Sequence, residues 1–87
     1  MSATVYLVLA MRRPQFDTAA VQPHLAFLDA LRAEGRLQLT GGFADGSGGA
    51  YVLCNLDSLE QAQAIVAGDP LVTMGASDLT VHQWNTR

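Results

Sequence analysis

The segment "RLQLTGGFADGSGGAYVLCNL", residues 36–56, decides how this chain of 87 residues folds. Two apolar runs, residues 37–43 and 50–56, flank a glycine-rich connection that contains Asp45-Gly46, a dipeptide typical of turns between antiparallel strands. A phosphate-binding loop would lead into a helix and carry a lysine and a hydroxyl residue, whereas this connection leads into a strand. The segment therefore predicts a β-hairpin, with glycines that border a pocket without binding phosphate.

A strand and a helix precede the hairpin. The run "TVYLVLAM", residues 4–11, is rich in β-branched and aromatic residues and predicts a strand that is apolar on both faces. Residues 17–35 change to helical spacing, with Pro23 in the first turn of the main helix and Gly35 at its end. The inward stripe of this helix consists of His24, Phe27, Leu28 and Leu31.

A helix and a strand also follow the hairpin. Asp57 or Ser58 is placed to cap a helix that ends at Gly68, and "SDLTVHQWN", residues 77–85, alternates like a last strand. The order is strand, helix, strand, strand, helix, strand. It predicts one α+β domain over residues 1–87, a ferredoxin-like βαββαβ plait whose four-stranded antiparallel sheet carries two helices on one face. Because the first strand is apolar on both faces, we expect a homodimer in which a second copy covers the other face.

Composition limits the partners. The net charge of about -3 and a charged fraction of 15% leave no basic face for nucleic acid or anionic lipid, and no apolar run is long enough to span a membrane. The first apolar run has no preceding basic residues and no cleavage site, so we expect a cytoplasmic protein. Cys54 is the single cysteine, and the two histidines and scattered carboxylates show no metal-ligand spacing. We expect no metal and no cofactor.

His24 and Asp69 are the candidates for chemistry. Their spacing alone favours structural roles: His24 as a satisfied, partly buried histidine, and Asp69 as the cap of a turn that begins at Pro70. His82, in the last strand, is expected to pack or to line a pocket. The large apolar residues Tyr6, Met11, Met74 and Trp84 are expected in the core or the dimer interface, with a cavity lining as the alternative.

The runs "HLAFLDALRAEGRLQLTGG", "GGAYVL", "SLEQAQAIVAGDP" and "VHQW", taken in order over residues 4–85, resemble the YCII-related family of the dimeric α+β barrel superfamily. The resemblance implies a dimeric α+β barrel in which His24 and Asp69 form a catalytic pair at a small-molecule pocket. Two positions depart from the family pattern. Gly41-Gly42 replaces the usual G-P, and Val21 stands where a basic residue often precedes the histidine. Arg12 and Arg13 are candidates to replace that basic group, although such residues are more often solvated surface.

The function that the resemblance implies is acid–base chemistry on a small organic substrate. Asp69 would orient one nitrogen of His24, and the other nitrogen would exchange a proton during tautomerisation or elimination, as in a cofactor-independent isomerase or lyase. Two alternatives stay open. One is a non-catalytic dimeric module that binds a metabolite or a partner, and the other is a cofactor-free oxygenase with the same barrel architecture.

Overall fold

A computed structural model describes residues 3–87, so Met1 and Ser2, the first two residues of the predicted domain, lie outside the described part. The strands and helices follow the predicted order. The structure adds a 3₁₀ turn (Thr18–Ala20) before the first helix and a short third helix before the last strand. They are β1 (Thr4–Arg12), α1 (Val21–Ala33), β2 (Leu37–Gly42), β3 (Gly48–Leu53), α2 (Leu59–Val66), α3 (Pro70–Thr73) and β4 (Ser77–Asn85).

The four strands form one antiparallel sheet in the order β2-β3-β1-β4. Side chains alternate along each strand, and the register places Val8 of β1 opposite Tyr51 of β3 and Val81 of β4, on the face towards the helices. The core lies between this face and helices α1 and α2. It contains Tyr6, Val8, Leu28, Leu31, Leu37, Tyr51, Leu53, Ala62 and Val66. The ferredoxin-like arrangement predicted from the sequence is confirmed.

Local signals set the helix ends. The Ser58 hydroxyl caps α2 by accepting the Gln61 N–H at 3.1 Å. Gly35 adopts a φ of 76° just after α1, which lets the Arg36 N–H donate to the Leu31 carbonyl at 2.9 Å. The rest of α1 follows the predicted stripe, so its first turn carries His24 towards the sheet.

Two hairpin glycines are required by close backbone contacts. A Cβ on Gly48, whose φ is 154°, would lie 2.1 Å from the Ala10 carbonyl oxygen, and a Cβ on Gly49 would lie 2.4 Å from that of Gly41. Strands β1, β2 and β3 therefore approach one another at this end of the sheet in a way that only glycine permits. The steric requirement falls on Gly48 and Gly49 of β3, whereas a Cβ on Gly41 would meet no atom within 4 Å.

The second face of the sheet is not covered by a helix. It carries a depression of about 390 Å³ that includes Leu39, Phe43, Val52 and Trp84, with Leu39 66% exposed and Trp84 48% exposed. Met11 and Met74 are also exposed, whereas Tyr6 is buried in the core.

In residues 3–87, no helix combines the length and the apolar character needed to cross a bilayer.

Candidate functional site

A cavity of about 290 Å³ opens on the helix side of the sheet, where the first turn of α1 faces the ends of β1, β2 and β3. Its volume lies at the lower limit of small-molecule pockets, about 300 Å³. Most of the lining is apolar or glycine, including four of the five hairpin glycines, at positions 41, 42, 48 and 49. The polar side chains of the lining belong to Arg12, His24, Thr40, Tyr51 and Ser77.

His24 lies at the wall of this cavity. It occupies the first turn of α1, and its side chain is 16% exposed. Its Nδ1 atom is 2.9 Å from Oδ1 of Asp69 and 3.1 Å from Oδ2. Nε2 makes no hydrogen bond to any residue from 3 to 87, so the bonding capacity of this nitrogen is unused within the described chain.

Asp69 lies behind His24 and does not line the cavity. It is fully buried, at 0% exposure, and it is the N-cap of α3. Oδ1 accepts the Leu71 N–H at 2.8 Å, and Oδ2 accepts the Tyr51 O–H at 2.8 Å. A buried carboxylate is tolerated when such donors compensate its charge. As a carboxylate it can only accept, so the third donor is Nδ1–H of His24, and in the neutral imidazole this selects the tautomer with an unprotonated Nε2.

Tyr51 completes the arrangement, and sequence reasoning missed it. Burial, followed by the negative charge of Asp69 and the hydrogen bond to it, raises the pKa of Tyr51 well above the ordinary phenol value. The phenol therefore stays a donor to Asp69. Its ring centroid is 6.0 Å from that of His24. Strand alternation indicates that Tyr51 faces the helices, but no sequence signal links it to Asp69, because the contact depends on where α3 packs.

The other candidate residues divide between the cavity and the surface. Arg12 lines the cavity, whereas Arg13 points away and forms an exposed ion pair with Asp78 at 3.6 Å. His82 is exposed on the opposite sheet face, with Nε2 3.2 Å from the Thr80 hydroxyl. Cys54 is half-buried outside the cavity, and its thiol donates to the Gly35 carbonyl at 3.5 Å. No group of three or more potential metal-ligating side chains occurs in the described part of the chain.

Known proteins support the fold and the family. The YCII-related domain profile matches residues 4–85. The uncharacterized protein YjpA of Bacillus subtilis (strain 168) is 48% identical over 82 residues, which cover 94% of this chain and 95% of YjpA. A solved structure, the 5-chloro-2-hydroxyhydroquinone dehydrochlorinase TftG from Burkholderia phenoliruptrix AC1100 in complex with 2,5-dihydroxybenzoquinone, superposes with a TM-score of 0.71. It shares 21% identity, with 92% of each chain covered, so this similarity concerns the fold. The profile match across almost the whole chain and the identity to YjpA establish that this protein belongs to the YCII-related family.

Proposed function

We propose that this protein is a small enzyme that uses His24 as a general acid and base on a small organic substrate. The observation that carries the proposal is the hydrogen bond from Nδ1 of His24 to buried Asp69, which leaves Nε2 for the cavity. Asp69 acts as a positioning residue, because it holds the imidazole without lining the cavity. Its own position is held by hydrogen bonds from Tyr51 and Leu71.

This geometry favours reversible proton transfer. Neutral His24 presents its unprotonated Nε2 and can accept a proton from a carbon next to a carbonyl or from a hydroxyl group. The imidazolium that forms keeps its Nδ1–H bond to Asp69, and the carboxylate stabilises the new charge. Return of the proton to another substrate atom completes a tautomerisation, and loss of a leaving group from the deprotonated substrate completes an elimination. The enzyme would thus be an isomerase or a lyase.

A ring-derived substrate fits the cavity of this protein and resembles the ligand of the structurally similar dehydrochlorinase. The cavity is mainly apolar and about 290 Å³ in volume, which suits one substituted ring. The dehydrochlorinase with the same fold was solved with 2,5-dihydroxybenzoquinone. Dehydrochlorination requires removal of a proton, the step that His24 is placed to perform.

Turnover by matched histidine variants tests the proposal. Chlorinated hydroxyhydroquinones and hydroxyquinones would be incubated with wild type, His24→Gln and His82→Gln, and the products followed by absorbance and mass spectrometry. We expect kcat to fall by about 10²- to 10⁴-fold in His24→Gln, the usual contribution of a positioned proton-transfer group. His82→Gln controls for loss of a histidine elsewhere: His82 lies on the opposite sheet face, so this variant should keep wild-type activity, and sedimentation velocity would check that it keeps the wild-type assembly. Equal activity in all three proteins would refute the role of His24.

Two other outcomes would favour the alternative functions. Binding of these compounds without any product would favour a metabolite-binding module in which His24 and Asp69 are a structural pair. Consumption of oxygen with an electron-rich ring substrate would favour a cofactor-free oxygenase. An oxygen electrode run beside the product assay separates the second outcome from elimination.

We also propose that the protein is a homodimer in which the two uncovered sheet faces pack together. Leu39, Phe43 and Trp84 expose apolar surface around one depression on that face. Contiguous apolar surface of this kind usually marks an interface, and two-fold dimers are the commonest closed assemblies. Sedimentation velocity measures the assembly directly, and a monomer at all concentrations would refute this proposal.

A further inference from the structure

Arg12 brings a guanidinium group to the cavity that holds His24. Alternation along β1 puts Arg12 on the same sheet face as Val8 and Ala10, and its register partner Ser77 also lines the cavity. The guanidinium carbon lies 4.2 Å from the centroid of the Phe16 ring, a cation–π contact at the cavity rim. The side chain is thus supported by an aromatic ring that itself lines the cavity.

The charge of Arg12 has no carboxylate partner within the described chain. Arg13, Arg32 and Arg36 each lie within 4.0 Å of a carboxylate oxygen, whereas Arg12 pairs with no carboxylate of residues 3–87. Nor does any Asp or Glu of these residues line the cavity, because Asp69 is hidden behind His24. In a chain with a net charge of -3, the cavity therefore combines a cation that has no carboxylate partner with a lining that contains no acidic side chain. Such a site attracts anions.

We infer that the cavity takes a single-ring organic anion, such as an ionised hydroxyquinone, whose charged oxygen binds the Arg12 guanidinium. Guanidinium groups bind planar oxyanions through paired N–H donors, and the apolar and glycine walls accept the ring. When the charged oxygen of the substrate binds Arg12 at one side of a cavity of this size, another part of the ring is left to contact His24. This inference deepens the proposed function and rests on it, since it names the substrate class of the same site.

Binding of two quinones of similar shape tests the inference without turnover. The anionic probe is 2,5-dihydroxybenzoquinone, and the neutral probe is 2,5-diaminobenzoquinone, in which amino groups replace the ionised oxygens. Dissociation constants would be measured by difference absorbance for wild type, Arg12→Gln and Arg13→Gln. Arg13→Gln is the matched control because it removes the same charge one residue away, from a side chain outside the cavity.

We expect wild type to prefer the anionic probe, and Arg12→Gln to bind it about 5- to 20-fold more weakly, as for loss of one charge-assisted hydrogen-bonding group near solvent. Binding of the neutral probe should change by less than about twofold in either variant, and Arg13→Gln should keep wild-type affinity for both. Raising the salt concentration should weaken anion binding to wild type more than to Arg12→Gln.

Three results would overturn the inference: no anion binding by wild type, equal affinity of wild type for the two probes, or equal weakening in Arg12→Gln and Arg13→Gln. The proposed function fails in a different way, if His24→Gln retains full turnover while the dependence of anion binding on Arg12 persists. The two failures are therefore distinguishable.

Discussion

Replacement of Asp69 by asparagine is expected to reverse the tautomer of His24 while the fold is retained. The native carboxylate accepts hydrogen bonds from the Leu71 N–H and the Tyr51 O–H. Because a carboxylate cannot donate, its contact with His24 is a third accepted bond, from Nδ1–H. The oxygen of an asparagine can still accept from Leu71, since asparagine is a favoured N-cap. Its NH₂ group, at the position of Oδ2, can only donate: one N–H faces the Tyr51 hydroxyl and the other faces Nδ1 of His24, 3.1 Å away, so we expect Nδ1 to accept and the ring proton to move to Nε2. The cavity then loses the proton acceptor.

The structure also sets the size of the effects. In Asp69→Asn the Tyr51 hydroxyl must accept instead of donate, and one buried donor left without a partner costs about 1–3 kcal/mol. Asp69→Ala leaves three donors without a partner, which at the same cost for each amounts to roughly 3 kcal/mol or more. A chain of this length is stable by only roughly 4–13 kcal/mol, at about 0.05–0.15 kcal/mol per residue. The asparagine variant should therefore fold, and its kcat should fall by about 10²- to 10⁴-fold through loss of the base.

Long-range proton–nitrogen NMR correlations read the tautomer directly and need no substrate. We expect protonated Nδ1 for His24 in wild type and protonated Nε2 in Asp69→Asn, with denaturant unfolding run on both proteins. His82 is an internal reference, since its ring contacts Thr80 on the other sheet face and should not respond. A His24 that keeps its proton on Nδ1 in the variant, or a variant with wild-type turnover, would refute the reasoning.

Two further predictions concern stability and assembly. Since the pKa of Tyr51 is raised in the folded chain, the unfolded chain loses its phenol proton first as pH rises. The free energy of unfolding should therefore decrease above about pH 10, by up to about 1.4 kcal/mol per pH unit. Denaturant unfolding across alkaline pH should show this slope in wild type and lose it in Tyr51→Phe, and an equal slope in both would assign it to another group. On the uncovered sheet face, Leu39→Glu should convert a dimer into monomers in sedimentation velocity. Val72→Glu, which places the same charge at an exposed apolar residue of α3, should not, and dissociation by both would place the interface elsewhere.

The order of elements was predictable because hydrophobic periodicity and turn residues are local properties. The predicted last strand, residues 77–85, matches β4, and Gly35 and Ser58 mark the helix ends as expected. The second hairpin strand was placed at residues 50–56 but runs over Gly48–Leu53. Its start depends on pairing with Met11 and Ala10 of β1, a contact between distant segments that the spacing of apolar residues does not contain.

The candidate site depended on tertiary packing in the same way. His24 on the inward stripe and Asp69 as a helix cap were each predicted locally, but their 2.9 Å contact depends on the packing of α3 against α1. Tyr51 entered the site through the same packing. The two neighbouring arginines were equal candidates in the sequence. Arg12 ends β1 and Arg13 follows it, and only the position of the cavity shows that Arg12 faces it.

The capping role and the proposed chemical role of Asp69 are compatible because a carboxylate has two oxygens. The N-cap bond from Leu71 occupies Oδ1, the Tyr51 bond occupies Oδ2, and Nδ1 of His24 lies near both. Capping thus fixes the carboxylate in the orientation that holds the imidazole. A cap in which the side chain rotated freely could not select one tautomer of a histidine on another helix. The same bonds that begin α3 therefore supply the rigidity that a positioned proton acceptor requires.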